Sequence, residues 1–102
     1  MVFSLIIQTR IKKMLQTQIK IINKLGLHAR AAAKFVTLAS QFKSDAFLEH
    51  QEKKVNGKSI MGVMMLAASN GTELTLTVDG DDEQQATEAL IKLVNNRFDE
   101  TS

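Results

Sequence analysis

One histidine of this 102-residue chain lies among residue types that suit the binding of an anion. The segment reads Gly26, Leu27, His28, Ala29 and Arg30, and helix-forming alanines follow it. Gly26 permits a sharp turn after a strand-like run, so a helix is predicted to start directly after His28. Free backbone N–H groups and the positive end of a helix dipole attract anions at such a position. The pattern predicts an imidazole nucleophile, with the Arg30 guanidinium beside it, that could receive a phosphoryl group.

The other residue types that carry chemistry give weaker signals. His50 lies in a polar turn predicted at residues 50–52 and is expected to be solvated. The chain has no cysteine, which excludes disulfides and thiolate metal ligands. Two distant histidines make a metal site improbable, so no metal and no cofactor are expected.

Ser59 is the second candidate for chemistry. The run Asn56, Gly57, Lys58, Ser59 combines turn residues with a residue that commonly caps a helix. As an N-cap, Ser59 would stabilise the helix after it by about 1 kcal/mol. A phosphate on its hydroxyl would be tolerated at a helix N-terminus, and the two roles are compatible.

Hydrophobic periodicity predicts the elements that position these residues. Strands are predicted at residues 18–23, 46–49, 53–55 and 72–78, and helices at residues 29–42 and 60–68. The first helix has an apolar stripe, and the last helix is capped by Asp81 or Asp82. The predicted buried positions of the three helices are Ala32, Phe35, Val36, Ala39; Val63, Leu66, Ala67; and Ala86, Ala89, Leu90, Leu93, Val94.

The predicted element order is β-α-β-β-α-β-α. Alternating strands with one apolar face indicate an antiparallel sheet that is covered on one side. The predicted fold class is therefore α+β: a two-layer open-faced sandwich, with a four-stranded antiparallel sheet and three helices on one face.

Charge is unevenly distributed along the chain, whose sequence pI is about 9.0. Three of the 13 basic residues lie in residues 1–16, leaving 10 basic against all 11 acidic residues in the remainder. The basic character thus belongs to a tail and not to a folded face, which disfavours a nucleic-acid partner.

Residues 1–16 are expected to be an irregular extension or a translation start set too early, and no membrane span is expected.

Residues 17–100 resemble the histidine-containing phosphocarrier protein family HPr of the bacterial phosphotransferase system. The stretch 26–30 is similar to the family's phosphorylation site, and residues 55–64 are similar to its regulatory serine segment. The resemblance implies one domain that is a phosphocarrier and not an enzyme. It implies that His28 accepts a phosphoryl group, through Nδ1, from Enzyme I and passes it to Enzyme II A or B components, with Arg30 stabilising it.

The resemblance also implies a regulatory site and a docking surface. Ser59 would be phosphorylated by HPr kinase/phosphorylase. Partners would dock on an exposed apolar patch near His28, composed of Ala29, Ala33, Ile60, Met61 and Met64. The protein is expected to be cytoplasmic, which the absence of cysteine fits. It is expected to be monomeric, because His28 must be presented to several partners.

One position departs from the family pattern: Ala31 stands where the family commonly has proline. The Ala31 N–H is expected to face the phosphoryl group or its bound water. Two alternative functions remain open. A regulatory nitrogen-branch HPr paralogue would keep the fold and signal through its phosphorylation state. A small nucleic-acid binder would show salt-sensitive binding that survives deletion of residues 1–13.

Overall fold

A computed structural model describes residues 14–102 of the chain. The four strands and three α-helices found there follow one another in the predicted order. The strands are β1 (Leu15–Lys20), β2 (Asp45–His50), β3 (Lys53–Asn56) and β4 (Glu73–Asp79). The helices are α1 (Ala29–Ala39), α2 (Ile60–Met65) and α3 (Glu83–Asn95). In this part of the chain no helix is long and apolar enough to cross a membrane.

The strands form one antiparallel sheet in the order β1-β4-β2-β3. Ile19 pairs with Leu74, and Leu48 pairs with Leu76, so apolar residues from neighbouring strands lie side by side on one face. The predicted open-faced sandwich is confirmed.

The core lies between this face of the sheet and the three helices. Its largest buried side chains include Phe35 of α1, Leu48, Leu74 and Leu76 of the sheet, and Leu90 of α3. The outer face is polar, because successive side chains of a strand point to opposite sides. There Gln16 Nε2 donates to Thr77 Oγ1 at 3.2 Å and Gln18 Nε2 donates to Thr75 Oγ1 at 3.0 Å. The three helices therefore all lie on the apolar face of the sheet, and the functional residues that they carry lie on that side as well.

Two element boundaries differ from the prediction. β1 covers Leu15–Lys20 and not residues 18–23, so it starts inside the range assigned to an irregular extension. Residues 1–13, the rest of that extension, lie outside the described residues. Ile21 is buried although it lies beyond the paired strand, which explains why periodicity placed it in β1. α1 ends at Ala39, and Phe42 packs partly buried against the core beyond the helix end.

Helix α2 is shorter than predicted, and this changes which residue its end buries. It stops at Met65, and Ala67 then adopts a left-handed φ of 52°. This reversal exposes Ala67, which was predicted to be in the core, and buries Ala68 in its place. Ala67 is therefore the left-handed residue that closes the helix, where a glycine or asparagine is more usual.

Asp82 lies at the N-cap position of α3, but its carboxylate does not cap that helix. It accepts hydrogen bonds from Lys43 N and Ser44 N, both at 2.9 Å, and from Ser44 Oγ at 2.5 Å. The Ser44 hydroxyl, followed by the Lys43 N–H, lowers the Asp82 pKa from 3.8 to about 2. The carboxylate thus ties the α1–β2 connection to the start of α3. On α3 itself, Ala89 and Leu93 are only half-buried, whereas Ala86, Leu90 and Val94 are buried.

Candidate functional site

A tight turn brings the chain from β1 into α1. Gly26 has a φ of 70°, and a Cβ at this position would lie 2.5 Å from the Ala68 carbonyl oxygen. Leu27 N donates to that same oxygen at 2.9 Å, so the turn is fastened to the end of the α2 region. Only glycine fits this backbone and this close approach. The turn ends at His28, which is the N-cap residue of α1 as predicted.

The His28 ring is held from outside its own helix. Its Nε2 lies 2.5 Å from Glu100 Oε2, and its side chain is 30% exposed. The ring makes no capping bond to α1, so the first N–H groups of the helix have no side-chain partner. One ring nitrogen is therefore bonded to a carboxylate, while the other is not used for capping.

Arg30 lies in the first turn of α1 and is exposed. Within residues 14–102 its guanidinium forms no hydrogen bond and no ion pair, although its charge contributes to lowering the pKa of Glu100. His28 and Arg30 line one open cavity of about 700 Å³, together with Leu25, Ala29, Lys34, Asp99, Glu100, Thr101 and Ser102. The arrangement can bind an anion between the helix end and a free cation.

The carboxylate that contacts His28 is delivered by an unusual stretch of backbone. Arg97, Phe98 and Asp99 have φ values of 56°, 53° and 65°, a left-handed turn that disfavours residues other than glycine. We call residues 97–100 the C-terminal turn. Phe98 is fully buried, and Lys34 Nζ donates to its carbonyl oxygen at 3.1 Å. One buried aromatic ring thus anchors the turn that carries Glu100.

Asn23 connects the turn before α1 to the C-terminal turn. It is completely buried, and its Nδ2 donates to Gly26 O at 2.8 Å and to Glu100 Oε1 at 3.0 Å. Its Oδ1 is buried without a hydrogen-bond partner among residues 14–102. The Asn23 hydrogen bond is the main cause that lowers the Glu100 pKa, opposed by burial and supported by the bond to His28. Glu100 is therefore held as a carboxylate between an amide and an imidazole.

Ser59 lies at the start of α2, apart from the His28 cavity. Its Oγ accepts a hydrogen bond from Gly62 N at 3.0 Å, so the predicted capping role is confirmed. The side chain is half-buried.

The residues expected to form the docking patch are distributed over two helices. Ile60, Met61 and Met64 of α2 have 43%, 72% and 39% of their surface exposed. Ala29 is exposed and lines the His28 cavity, whereas half-buried Ala33 lines a neighbouring pocket with Arg30. The structure packs α1 against α2.

Besides Met14 before β1, two further large apolar residues are exposed, and neither was predicted to be. Leu25 is 69% exposed and lines the His28 cavity, and Met65 is 59% exposed at the end of α2. The exposure of these two residues depends on the direction of the chain at the Gly26 turn and at the end of α2, which the sequence pattern does not specify.

The contact expected between the Ala31 N–H and a phosphoryl group or its bound water stays a prediction. Ala31 is fully buried, because it is in the first turn of α1 on the side that faces the core.

Three residues of the site were missed from the sequence. Asn23 had been placed in a strand, while Phe98 and Glu100 had been given no structural role. A lone phenylalanine shortly after the last helix was the available signal, since such a residue rarely stays in water. Nothing in the local sequence indicates that Glu100 contacts His28, which lies 72 positions away.

Known proteins are similar to most of the described part of the chain. The family model described as "PTS HPr component phosphorylation site" matches residues 15–96. The phosphocarrier protein HPr of Neisseria meningitidis is 56% identical over 87 residues, which are 85% of this chain and 98% of that protein. The phosphocarrier protein HPr of Pseudomonas aeruginosa is 56% identical over 84 residues, covering 81% of this chain and 93% of that one.

Solved structures agree with the sequence matches. An HPr from Thermoanaerobacter tengcongensis superimposes with a TM-score of 0.83 and 48% identity, covering 86% of this chain and 99% of that chain. A structure described as an HPr dimer from the same organism has a TM-score of 0.69 and 51% identity, covering 80% and 94%. On the fold, the matched residues and these relatives, the chain belongs to the HPr family of phosphocarrier proteins of the phosphotransferase system.

Proposed function

We propose that His28 accepts a phosphoryl group from an Enzyme I-type donor charged by phosphoenolpyruvate and passes it to an Enzyme II A or B component. A phosphocarrier role follows from the family; the acceptor residue, the donor and the recipients are the proposal. The observation that carries it is the partly exposed His28 ring at the N-terminus of α1, in one cavity with the free Arg30 guanidinium.

The geometry suits reversible transfer. A ring nitrogen with a free lone pair attacks phosphorus in line, and the helix N–H groups with Arg30 stabilise the charge on the phosphoryl oxygens. The site is an open cavity at a helix end and not a closed pocket, so the product is not enclosed. A carrier must not bind its phosphoryl group too tightly, since onward transfer would then be slow.

Incubation with labelled phosphoenolpyruvate and Enzyme I tests this proposal. We expect one acid-labile phosphate per chain, lost in His28→Ala and retained in His50→Ala, which removes the other histidine. Absence of labelling in the unmodified protein, or labelling of His28→Ala, would contradict the proposal.

Ser59 is proposed to be a regulatory phosphorylation site for HPr kinase/phosphorylase. The support is its position: a half-buried N-cap whose oxygen already accepts the Gly62 N–H, where added phosphate oxygens would meet helix N–H groups. We expect ATP-dependent labelling that is lost in Ser59→Ala and retained in Ser40→Ala, an exposed serine at the end of α1. An acid-stable phosphate on Ser59→Ala would contradict the assignment.

The docking surface proposed for these partners is the patch of Ala29, Ala33, Ile60, Met61 and Met64. The exposure of the α2 side chains supports it, because thioethers adapt to different partner surfaces. Met61→Ala should weaken binding to Enzyme I in a titration, whereas Met14→Ala, an exposed methionine before β1, should not. Equal affinities of the two variants would exclude α2 from the interface.

We propose that the protein acts in the cytoplasm and as a monomer, since His28 must be accessible to several partners. Light scattering after size exclusion tests the monomer, and it is a real test because a relative has been described as a dimer. The relatives named above are HPr phosphocarriers, so they do not favour the nitrogen-branch alternative.

A further inference from the structure

The carboxylate at the His28 ring belongs to a residue far away in the chain, and the structure supports it on both sides. Glu100 Oε2 contacts His28 Nε2 at 2.5 Å, while Glu100 Oε1 accepts from the buried Asn23 amide at 3.0 Å. The Glu100 side chain is only 17% exposed. Both oxygens of the carboxylate are thus committed, and neither can rotate away without breaking a hydrogen bond.

We propose that Glu100 is a positioning residue for phosphoryl transfer: it fixes the orientation and tautomer of His28 and so selects Nδ1 as the attacking atom. This inference rests on the proposed role of His28 as the acceptor. It adds a residue outside the motif around His28, and it explains why the amide of the fully buried Asn23 donates to a carboxylate.

The tautomer follows from the chemistry of the two groups. A carboxylate only accepts hydrogen bonds, so the hydrogen between Glu100 and His28 must be on Nε2. A neutral imidazole carries one N–H, so the lone pair available for attack is on Nδ1. Without Glu100 the two tautomers would be selected by solvent alone.

The transfer step balances with the ring proton in place. The Nδ1 lone pair forms the new bond to phosphorus, and the bond between phosphorus and the donor atom of phosphorylated Enzyme I breaks. The electron pair of that bond remains on the donor atom. The His28 ring gains positive charge while Nε2 keeps its hydrogen, and the Glu100 carboxylate lies where it offsets that charge.

The buried Asn23 makes the carboxylate part of the turn that presents His28. The same Nδ2 that holds Glu100 also donates to Gly26 O, two residues before the ring. Its Oδ1 has no partner among the described residues, which is unfavourable for a buried amide. The position of the Asn23 amide thus satisfies its two donor hydrogen bonds and leaves its oxygen without one. This is expected of a group that orients another residue.

Nitrogen NMR of the ring in the unphosphorylated protein is the direct test. We expect the Nε2–H tautomer to dominate in the unmodified chain, and Glu100→Ala to mix the two tautomers. Phosphorylation by Enzyme I should be slowed about tenfold in Glu100→Ala, the effect of losing one charge-assisted hydrogen bond. Glu100→Gln keeps an accepting oxygen, so it should retain the tautomer but not the full rate.

Glu88→Ala is the matched control, because it removes the carboxylate of an exposed glutamate in α3 that does not line the His28 cavity. It should change neither the tautomer nor the rate, and urea unfolding should verify that all variants are folded. An unchanged tautomer and rate in Glu100→Ala, or an equal loss in Glu88→Ala, would overturn the inference. If the unmodified chain were not labelled at all, the proposed function would fail, but the tautomer measurement would still show whether Glu100 sets the tautomer of His28.

Discussion

His28 and Ser59 both occupy the N-cap position of a helix, yet the structure supports them in opposite ways. Ser59 is held locally, by a hydrogen bond from Gly62 three residues later. His28 makes no bond to its own helix, and its partner is Glu100, 72 positions away. The serine therefore depends only on α2, whereas the histidine depends on the packing of both ends of the domain.

The difference is consistent with the chemistry proposed for each residue. A hydroxyl that is phosphorylated by a kinase needs only to be accessible at a helix end. An imidazole that must itself attack phosphorus needs a defined tautomer and a defined direction of its lone pair. Tertiary contacts can impose these, while a local cap would occupy the ring.

The largest expected effect comes from removing the anchor of the C-terminal turn. Phe98→Ala should lower the free energy of unfolding by about 3–5 kcal/mol, since it empties a fully buried site. Urea unfolding measures this change. In the remaining folded protein, labelling of His28 should also slow, because Glu100 loses its support.

Val63→Ala is the comparison on the other side of the molecule, as Val63 is the buried residue of α2. It should destabilise the protein without slowing the labelling of His28. If both variants slowed labelling equally, the distinction between the two helix ends would not hold.

A smaller change is expected at the local cap. Ser59→Ala should lower the free energy of unfolding by about 1 kcal/mol, because the Gly62 N–H loses its acceptor. Ser59→Asp keeps an accepting oxygen and should be destabilised less. Denaturant titration gives both values, and labelling by Enzyme I should proceed at the unmodified rate in Ser59→Ala. A slowed rate would mean that the two helix ends are coupled.

The two regions should also differ in their response to acid. The pKa of Glu100 in the folded protein is below its usual value of 4.5, chiefly through the hydrogen bond from Asn23. The stability that Glu100 contributes is therefore fully present above pH 4.5 and is lost as the pH falls through the lowered pKa. The stability difference between the unmodified chain and Glu100→Gln should shrink over that range.

The corresponding difference for Ser59→Ala should not depend on pH, because a hydroxyl does not titrate there. Urea unfolding of the three proteins at several values below neutral pH provides the measurement. Asp82, whose pKa of about 2 also makes the fold acid-sensitive, is present in all three and cancels in the comparison. A constant difference for Glu100→Gln would show that its carboxylate adds no stability.

The smallest effect is expected at Ala31, in the first turn of α1. Ala31→Pro should raise the free energy of unfolding by about 0.4–1 kcal/mol, because proline restricts the unfolded chain and the N–H it removes has no acceptor within the helix. Denaturant titration measures the gain. Labelling should be unchanged, since Ala31 is buried. A slower rate would support the role predicted for its N–H.

Local patterns were sufficient for the fold and for the two N-caps. Strand alternation and helical stripes predicted the sheet and its three helices, and turn chemistry placed His28 and Ser59 at helix starts. These features depend on residues close together in the chain. Boundaries were less predictable where a residue is buried outside its element, as with Ile21 beyond β1, or exposed by a left-handed turn, as with Ala67.

The support of His28 could not be predicted, for a physical reason. It depends on Phe98 being buried through three successive residues that adopt a conformation their side chains disfavour. No local preference indicates such a turn, since only the packing of the finished domain stabilises it. The partnership of Asn23 with Glu100 is visible only when both ends of the described domain are folded together.

The left-handed C-terminal turn also has a dynamic consequence. Its backbone preference opposes its conformation by roughly 1–2 kcal/mol per residue, so a transient opening there should require less free energy than separating the strands. Each opening would release Glu100 and leave His28 without its carboxylate. Amide hydrogen exchange at residues 97–100 would then report the fraction of time during which the His28 ring lacks its contact with Glu100, independently of any phosphoryl transfer.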